Sequence, residues 1–119
     1  MEKYNQLTPE IIAQIQAVSE HVLVGDDINV DFARDEMPIY GTHMPDLVVQ
    51  PTSTEEVAAV MKICYENPIP VTPRGAGTGL AGGAVPLLGG VLIDTSKMNR
   101  ILNYDLENFV VEIESGVLL

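Results

Sequence analysis

The segment Pro73-Arg74-Gly75-Ala76-Gly77-Thr78-Gly79-Leu80-Ala81-Gly82-Gly83 holds five of the chain's ten glycines and restricts the possible folds more than any other stretch. Glycine accepts positive φ and lets backbone approach a ligand closely. Successive amides in such a loop can turn inward as a nest for an anion. A diphosphate would meet several of them at once, each charge-assisted bond being worth about 1.5–3 kcal/mol. Arg74 and the Thr78 hydroxyl offer further donors. A merely flexible loop needs neither this many glycines nor an arginine beside them.

Two familiar phosphate loops fail here. Gly77-Thr78-Gly79-Leu80-Ala81-Gly82 matches the dinucleotide pattern G-x-G-x-x-G, and Asp94 follows at nearly the spacing of a ribose-binding acid. That pattern, however, must open a helix that packs on the sheet. Here Gly83-Ala84-Val85-Pro86-Leu87-Leu88-Gly89-Gly90 follows, and its proline and glycines forbid a stable helix before Val91. The Walker pattern is absent, since no Gly-Lys-Ser/Thr occurs. The loop therefore predicts an anion site in which irregular backbone, not a helix dipole, supplies the donors.

Around the loop the pattern is α/β. Thr8-Pro9-Glu10 starts a helix, with a threonine cap, proline in the first turn and an acid favoured by the dipole. Ile11, Ile15, Val18 and Val22 follow at helical spacing, and Gly25-Asp26-Asp27 is expected to end it. Residues 29–42 read as a polar surface loop. Leu47-Val48-Val49 reads as a buried strand, and Ser53-Thr54-Glu55-Glu56 as a capping box opening a helix through Val57, Val60, Met61 and Cys64. Asn67-Pro68 stops that helix. Ile69–Pro73 reads as a second strand, although Pro70 would remove a ladder bond from a central one. The strand–helix–strand order predicts a parallel pair. Gly90–Asp94 is a third strand. Ile101–Tyr104 and Phe109–Glu114 form arms about the turn Asp105–Asn108, with alternation that suits one wet face.

Composition narrows the function. The 119 residues include 17 acids against six bases, a net charge of −11. Such a surface repels nucleic acid and anionic lipid. Of the basic residues only Arg74 lies among the glycines. Cys64 is the sole cysteine, which excludes an intrachain disulfide and fits a small buried hydrophobe in a reducing compartment. His21 and His43 have no partners at metal spacing, so no metal site is expected. No apolar run approaches membrane-spanning length, and the first residues lack the pattern of a secretion signal. The expected location is the cytoplasm. Gly116-Val117-Leu118-Leu119 ends on apolar residues, so the chain reads as cut short or as self-associating through an exposed C-terminal edge.

An ordered set of motifs carries a resemblance. Asp46–Pro51 with Ser53–Val57, Ile69–Leu80, Gly82-Gly83-Ala84 and Met98-Asn99-Arg100-Ile101 together resemble the N-terminal FAD-binding domain of the FAD-linked oxidases. These are flavoproteins of the vanillyl-alcohol oxidase and p-cresol methylhydroxylase (PCMH) type, and the similarity points to their glycolate oxidase D-subunit and D-lactate dehydrogenase group. The resemblance implies an α/β (α+β) fold, the N-terminal part of a PCMH-type domain, with a small partly parallel sheet and helices leading into antiparallel strands. It covers residues 43–119 as a C-terminally incomplete FAD-binding domain, with residues 1–42 as a helical lead-in.

By the same resemblance the pyrophosphate of FAD rests on the loop residues Pro73, Arg74, Gly75, Ala76, Gly77, Thr78, Gly79 and Leu80, with Gly82 and Gly83 beside the cofactor. It implies that a 2-hydroxy acid passes a hydride to the flavin and that electrons leave to a separate acceptor. With no histidine near the loop, non-covalent FAD is expected. The family's substrate-contacting residues match positions beyond Leu119, so no catalytic residue is assigned, His43 included, and the short chain alone is expected to be inactive. Two alternatives stay open: a non-catalytic nucleotide-binding or subunit-interface module, and a relative acting on another alcohol, a sugar lactone or a phenol.

Overall fold

The computed structural model describes residues 4–118. Thr8 caps helix α1 (Pro9–Val18), its hydroxyl accepting from the Ile11 amide at 3.3 Å. The helix stops earlier than its apolar spacing predicts. Ser19 takes the C-terminal cap with extended backbone, and Val22 belongs instead to strand β1 (Val22–Val24). The apolar run Val22-Leu23-Val24, with two β-branched valines, finds an antiparallel partner in strand β2 (Leu47–Val49), a gain that continued helix would forgo.

Helix α2 (Thr54–Glu66) starts where its capping residues predict, with the Ser53 hydroxyl accepting from the Glu56 amide. The return half of the box is displaced by one residue, since Glu56 accepts from the Thr52 amide at 3.2 Å. The same carboxylate accepts from the Ser19 hydroxyl at 3.1 Å, which ties the end of α1 to the start of α2.

Strand β3 (Val71–Arg74) and strand β4 (Val91–Asp94) complete a sheet in the order β1-β2-β4-β3. β2 and β3 each run parallel to β4 and do not pair with one another, contrary to the simple strand–helix–strand expectation. Burial and hydrogen bonding decide it. Val91, Leu92 and Ile93 are buried on both faces and take the centre. Pro73 lacks the amide an interior position needs, so its strand lies at the edge. On one face Leu47, Val49, Val91 and Ile93 pack with Ile11, Ile15, Val60 and Cys64. On the other, Val48 and Leu92 meet Ile28.

The stretch 29–42 is more than a surface loop, and it continues structure that begins at Gly25. Residues 25–42 form three short 3-10 turns, bury Ile28 and Ala33, and cover the second face of the sheet. The segment expected to be a helical lead-in thus holds one α-helix, a sheet strand and these turns, sharing one core with the rest.

Strands β5 (Ile101–Asp105) and β6 (Val110–Ile113) form a separate antiparallel hairpin. Asp105 caps its turn by accepting from the Asn108 amide and side chain. One wet face was the expectation, yet Leu102, Tyr104, Val110 and Val111 are all exposed, so neither face of the hairpin is buried among the described residues.

Candidate functional site

Strand β3 delivers Arg74 to the lip of the glycine-rich loop and buries it. Its guanidinium, offered by the sequence as an anion donor, is turned inward. It donates to the carbonyls of Asp31 at 2.7 Å, Arg34 at 2.8 Å and Ala84 at 3.4 Å, and lies 5.8 Å from the centre of the Phe32 ring. Five N–H donors in a rigid fork suit such a bridge between carbonyls. Arg74 thus joins the turn at 30–33 to both ends of the loop.

A second tie has the opposite charge. One Asp35 oxygen accepts from the Gly82 amide at 2.9 Å and the other from the Met37 amide at 2.7 Å. The Glu36 amide donates to the Gly79 carbonyl at 3.2 Å. Nothing in the sequence announces these contacts, since backbone carbonyls carry no residue identity and the partners lie some forty positions apart.

The loop glycines fall into two groups. Gly77 and Gly82 hold positive φ, 73° and 75°, and a side chain at either would strike the Arg74 guanidinium or the Tyr40 ring. The fold itself requires glycine there. Gly75, Gly79 and Gly83 lie outside the left-handed region, and a Cβ on any of them would meet nothing within 4 Å. The fold does not demand glycine at those positions. They leave bare backbone facing open space, as close approach of a ligand requires.

The amides tell the same story. Among the described residues, those of 76–81 donate to no protein acceptor, so the tip of the loop presents a run of free N–H groups. No helix follows it before β4, in keeping with the rejection of the dinucleotide pattern. Asp94, the acid at ribose-binding distance in that pattern, is buried and already accepts from Gln50 at 2.9 Å and from the Ser96 hydroxyl and amide. Thr78 and Leu80 are exposed, and the Thr78 hydroxyl has no protein partner among the described residues.

Among the described residues, clefts flank the loop on two sides. One of about 390 Å³ is bordered by Gly75, Ala76, Ser96, Asn99, Ile101 and Ser115, between the loop and the base of the hairpin. The other, about 320 Å³, is polar and includes Asp31, Arg34, Asp35, Arg74, Ala76 and Gly77. Bare backbone, free amides and an adjoining cleft fit a dinucleotide diphosphate.

Elsewhere the titratable groups are structural. Cys64 is buried on the core-facing side of α2, and burial pushes its thiol up to about 11, far from a reactive thiolate. The Arg100 guanidinium holds the Glu114 carboxyl below its ordinary range by hydrogen bonds at 2.8 and 3.1 Å, clasping the base of the hairpin. His43 is exposed, and its amide donates to the Ala33 carbonyl at 2.9 Å.

Known proteins resemble this chain in sequence and fold. Residues 45–119 match a family model described as FAD binding domain. A D-lactate dehydrogenase of Anaerostipes hadrus is 61% identical over 98% of this chain and 25% of its own length. Glycolate oxidase subunit GlcD of Bacillus subtilis (strain 168) is 38% identical over 78% of the chain and 20% of its length. A crystal structure of p-cresol methylhydroxylase with substrate bound superposes with a TM-score of 0.78 at 33% identity, covering 91% of this chain and 22% of that one. The chain thus spans about a quarter or less of these relatives. With a matched segment that includes β2, α2, β3, the glycine-rich loop and β4, the chain belongs to the FAD binding domain family.

Proposed function

We propose that the chain is the cofactor-holding part of a flavoprotein that oxidises a 2-hydroxy acid of the glycolate or D-lactate type. The observation that carries this reading is the loop tip, where the free amides of 76–81 adjoin glycines whose missing side chains leave open space. The kinship with a D-lactate dehydrogenase and a glycolate oxidase subunit supports the substrate class.

In this reading residues 43–119 form the FAD-binding portion, and residues 1–42 are a lead-in built onto it. The backbone of Gly75, Ala76, Gly77, Thr78, Gly79 and Leu80 takes the pyrophosphate, with Pro73, Gly82 and Gly83 bounding it and Arg74 shaping it. FAD is held without a covalent bond, and the chemistry it supplies when bound is acceptance of a hydride and delivery of electrons to a separate acceptor. This chain's residues orient and desolvate the cofactor, and none is assigned to the substrate.

No helix among the described residues is long and apolar enough to cross a membrane. The acidic composition and the single thiol support a cytoplasmic location. The exposed apolar strands β5 and β6 support self-association, which sedimentation over a range of concentrations checks.

Titration with FAD, followed by flavin fluorescence and near-UV circular dichroism, tests the central claim. Saturable binding that Gly79→Val abolishes while the fold persists is expected. Binding unaffected by that substitution would sink the loop assignment.

A further inference from the structure

We infer that Asp35 and Arg74 are positioning residues that brace the glycine-rich loop for an anion neither of them touches. The inference rests on the reading of that loop as the FAD site.

The brace consists of two ties of opposite charge, both anchored in the segment 31–37. The Arg74 fork draws the carbonyls of Asp31, Arg34 and Ala84 onto one planar group, which fixes where the loop leaves β3 and where it ends. The Asp35 carboxylate holds the Gly82 amide on one side and the Met37 amide on the other. The Gly79 carbonyl is pinned between them by the Glu36 amide. The tip, residues 76–81, thereby keeps its amides free while both of its flanks are held. A nest of amides has value only if it is formed before the anion arrives, because ordering it at binding would consume affinity.

Asp35 is the informative member because electrostatics and positioning give opposite signs for it. Its carboxylate borders the same polar cleft as Ala76 and Gly77. A carboxylate near a diphosphate repels it, so on charge alone Asp35→Asn would tighten FAD binding. As a brace, the same change leaves one of two amides without an acceptor, frees the loop flank and weakens binding. Asp31 supplies the comparison. It borders the same cleft, but its side chain bonds only to Arg34 at 2.9 Å, and it is its main-chain carbonyl that meets Arg74. Asp31→Asn therefore removes a charge and leaves the brace.

The test is the dissociation constant of FAD by flavin fluorescence for the unaltered chain, Asp35→Asn, Asp31→Asn and Arg74→Lys, with amide hydrogen exchange measured in the absence of flavin. Asp35→Asn is expected to weaken binding about tenfold or more, from the loss of one charge-assisted bond. Asp31→Asn is expected to tighten it. Lysine at position 74 keeps the charge but cannot span the carbonyls, so it is expected not to rescue. Without flavin, the Gly82 amide is expected to exchange far more slowly than those of Thr78 and Gly79. Unchanged or tighter binding by Asp35→Asn, an equal loss in Asp31→Asn, or full affinity in Arg74→Lys would overturn the inference. Should Asp35→Asn fail to fold, a Gly82 amide that exchanges as freely as that of Gly79 in the unaltered chain overturns it independently. An unaltered chain that binds no FAD would remove the underlying reading, and with it the inference, whatever the exchange pattern.

Discussion

Replacing Gly77 by alanine acts on two features at once. The backbone there has φ of 73°, where an L-residue is strained by about 1–2 kcal/mol. The new methyl would also lie 2.5 Å from Arg74 Cζ and 2.9 Å from its Nε, closer than carbon and nitrogen can approach. Arg74 must then swing away and give up at least one of its carbonyl bonds, each worth about 1.5–3 kcal/mol for a charged donor. Together these give a loss of roughly 2.5–5 kcal/mol. Gly79→Ala provides the contrast, because its φ is outside the left-handed region and its Cβ would meet nothing. There stability should be unchanged or raised by up to about 1 kcal/mol through a stiffer unfolded chain. Urea unfolding followed by circular dichroism reads both values, and flavin fluorescence on the same samples reads FAD affinity. Gly77→Ala should lose stability and affinity together, whereas Gly79→Ala should lose affinity alone. Equal stability of the two variants would refute the division of the glycines into those the fold needs and those the ligand needs.

Other outcomes are as specific. Ile15→Ala should lower the stability of the whole chain by about 2–5 kcal/mol in one cooperative transition, because Ile15 is fully buried in the core it shares with β2 and β4. A separate melting step confined to α1 would contradict that shared core. The Cys64 thiol, raised to about 11 in the fold against 9.0 when free, favours the folded state below pH about 9. That contribution should fade as pH rises towards 11, visible as a falling melting temperature that Cys64→Ala does not share. At neutral pH a thiol reagent should react only as fast as the core opens. Glu114, whose carboxyl Arg100 holds below the ordinary 4.5, stabilises the hairpin base above that value. The stabilisation is lost as pH falls through the lower folded value. Carbon-detected titration should find Glu114 ionising below the ordinary 4.5, and Arg100→Gln should shrink the depression to what the residue 100 amide sustains.

What is legible in the sequence is what local chemistry dictates. Thr8-Pro9 and Ser53-Thr54-Glu55-Glu56 satisfy helix-end amides from within a few residues, so both helix starts can be read directly. The turn at Asp105–Asn108 and the absence of a helix after Gly82 are readable for the same reason. The end of α1 is harder, because Val22 fits the helical spacing while its place in β1 depends on a partner at Val49. Strand order is also non-local, set by which apolar run can be covered on both faces. At the site, the glycines announce an anion loop, but their sequence does not separate Gly77 from Gly79. Nor does it show Arg74 facing inward, since the acceptors that turn it are carbonyls of segments distant in the chain.

The central position of β4 has a consequence for how the chain is made. Strands β2 and β3 emerge from a ribosome before β4, the parallel partner of both, and α2 connects them along the chain without making them neighbours in the sheet. Until Val91–Asp94 is available, one edge of β2 and the whole of β3 lack their ladder, and the apolar face of α2 has only part of its sheet to rest on. Folding should therefore complete late, by insertion of a central strand between two waiting neighbours. The long-range pairings that this requires make it slow for a chain of this size, and nascent chains stalled before Val91 should be the ones that chaperones bind.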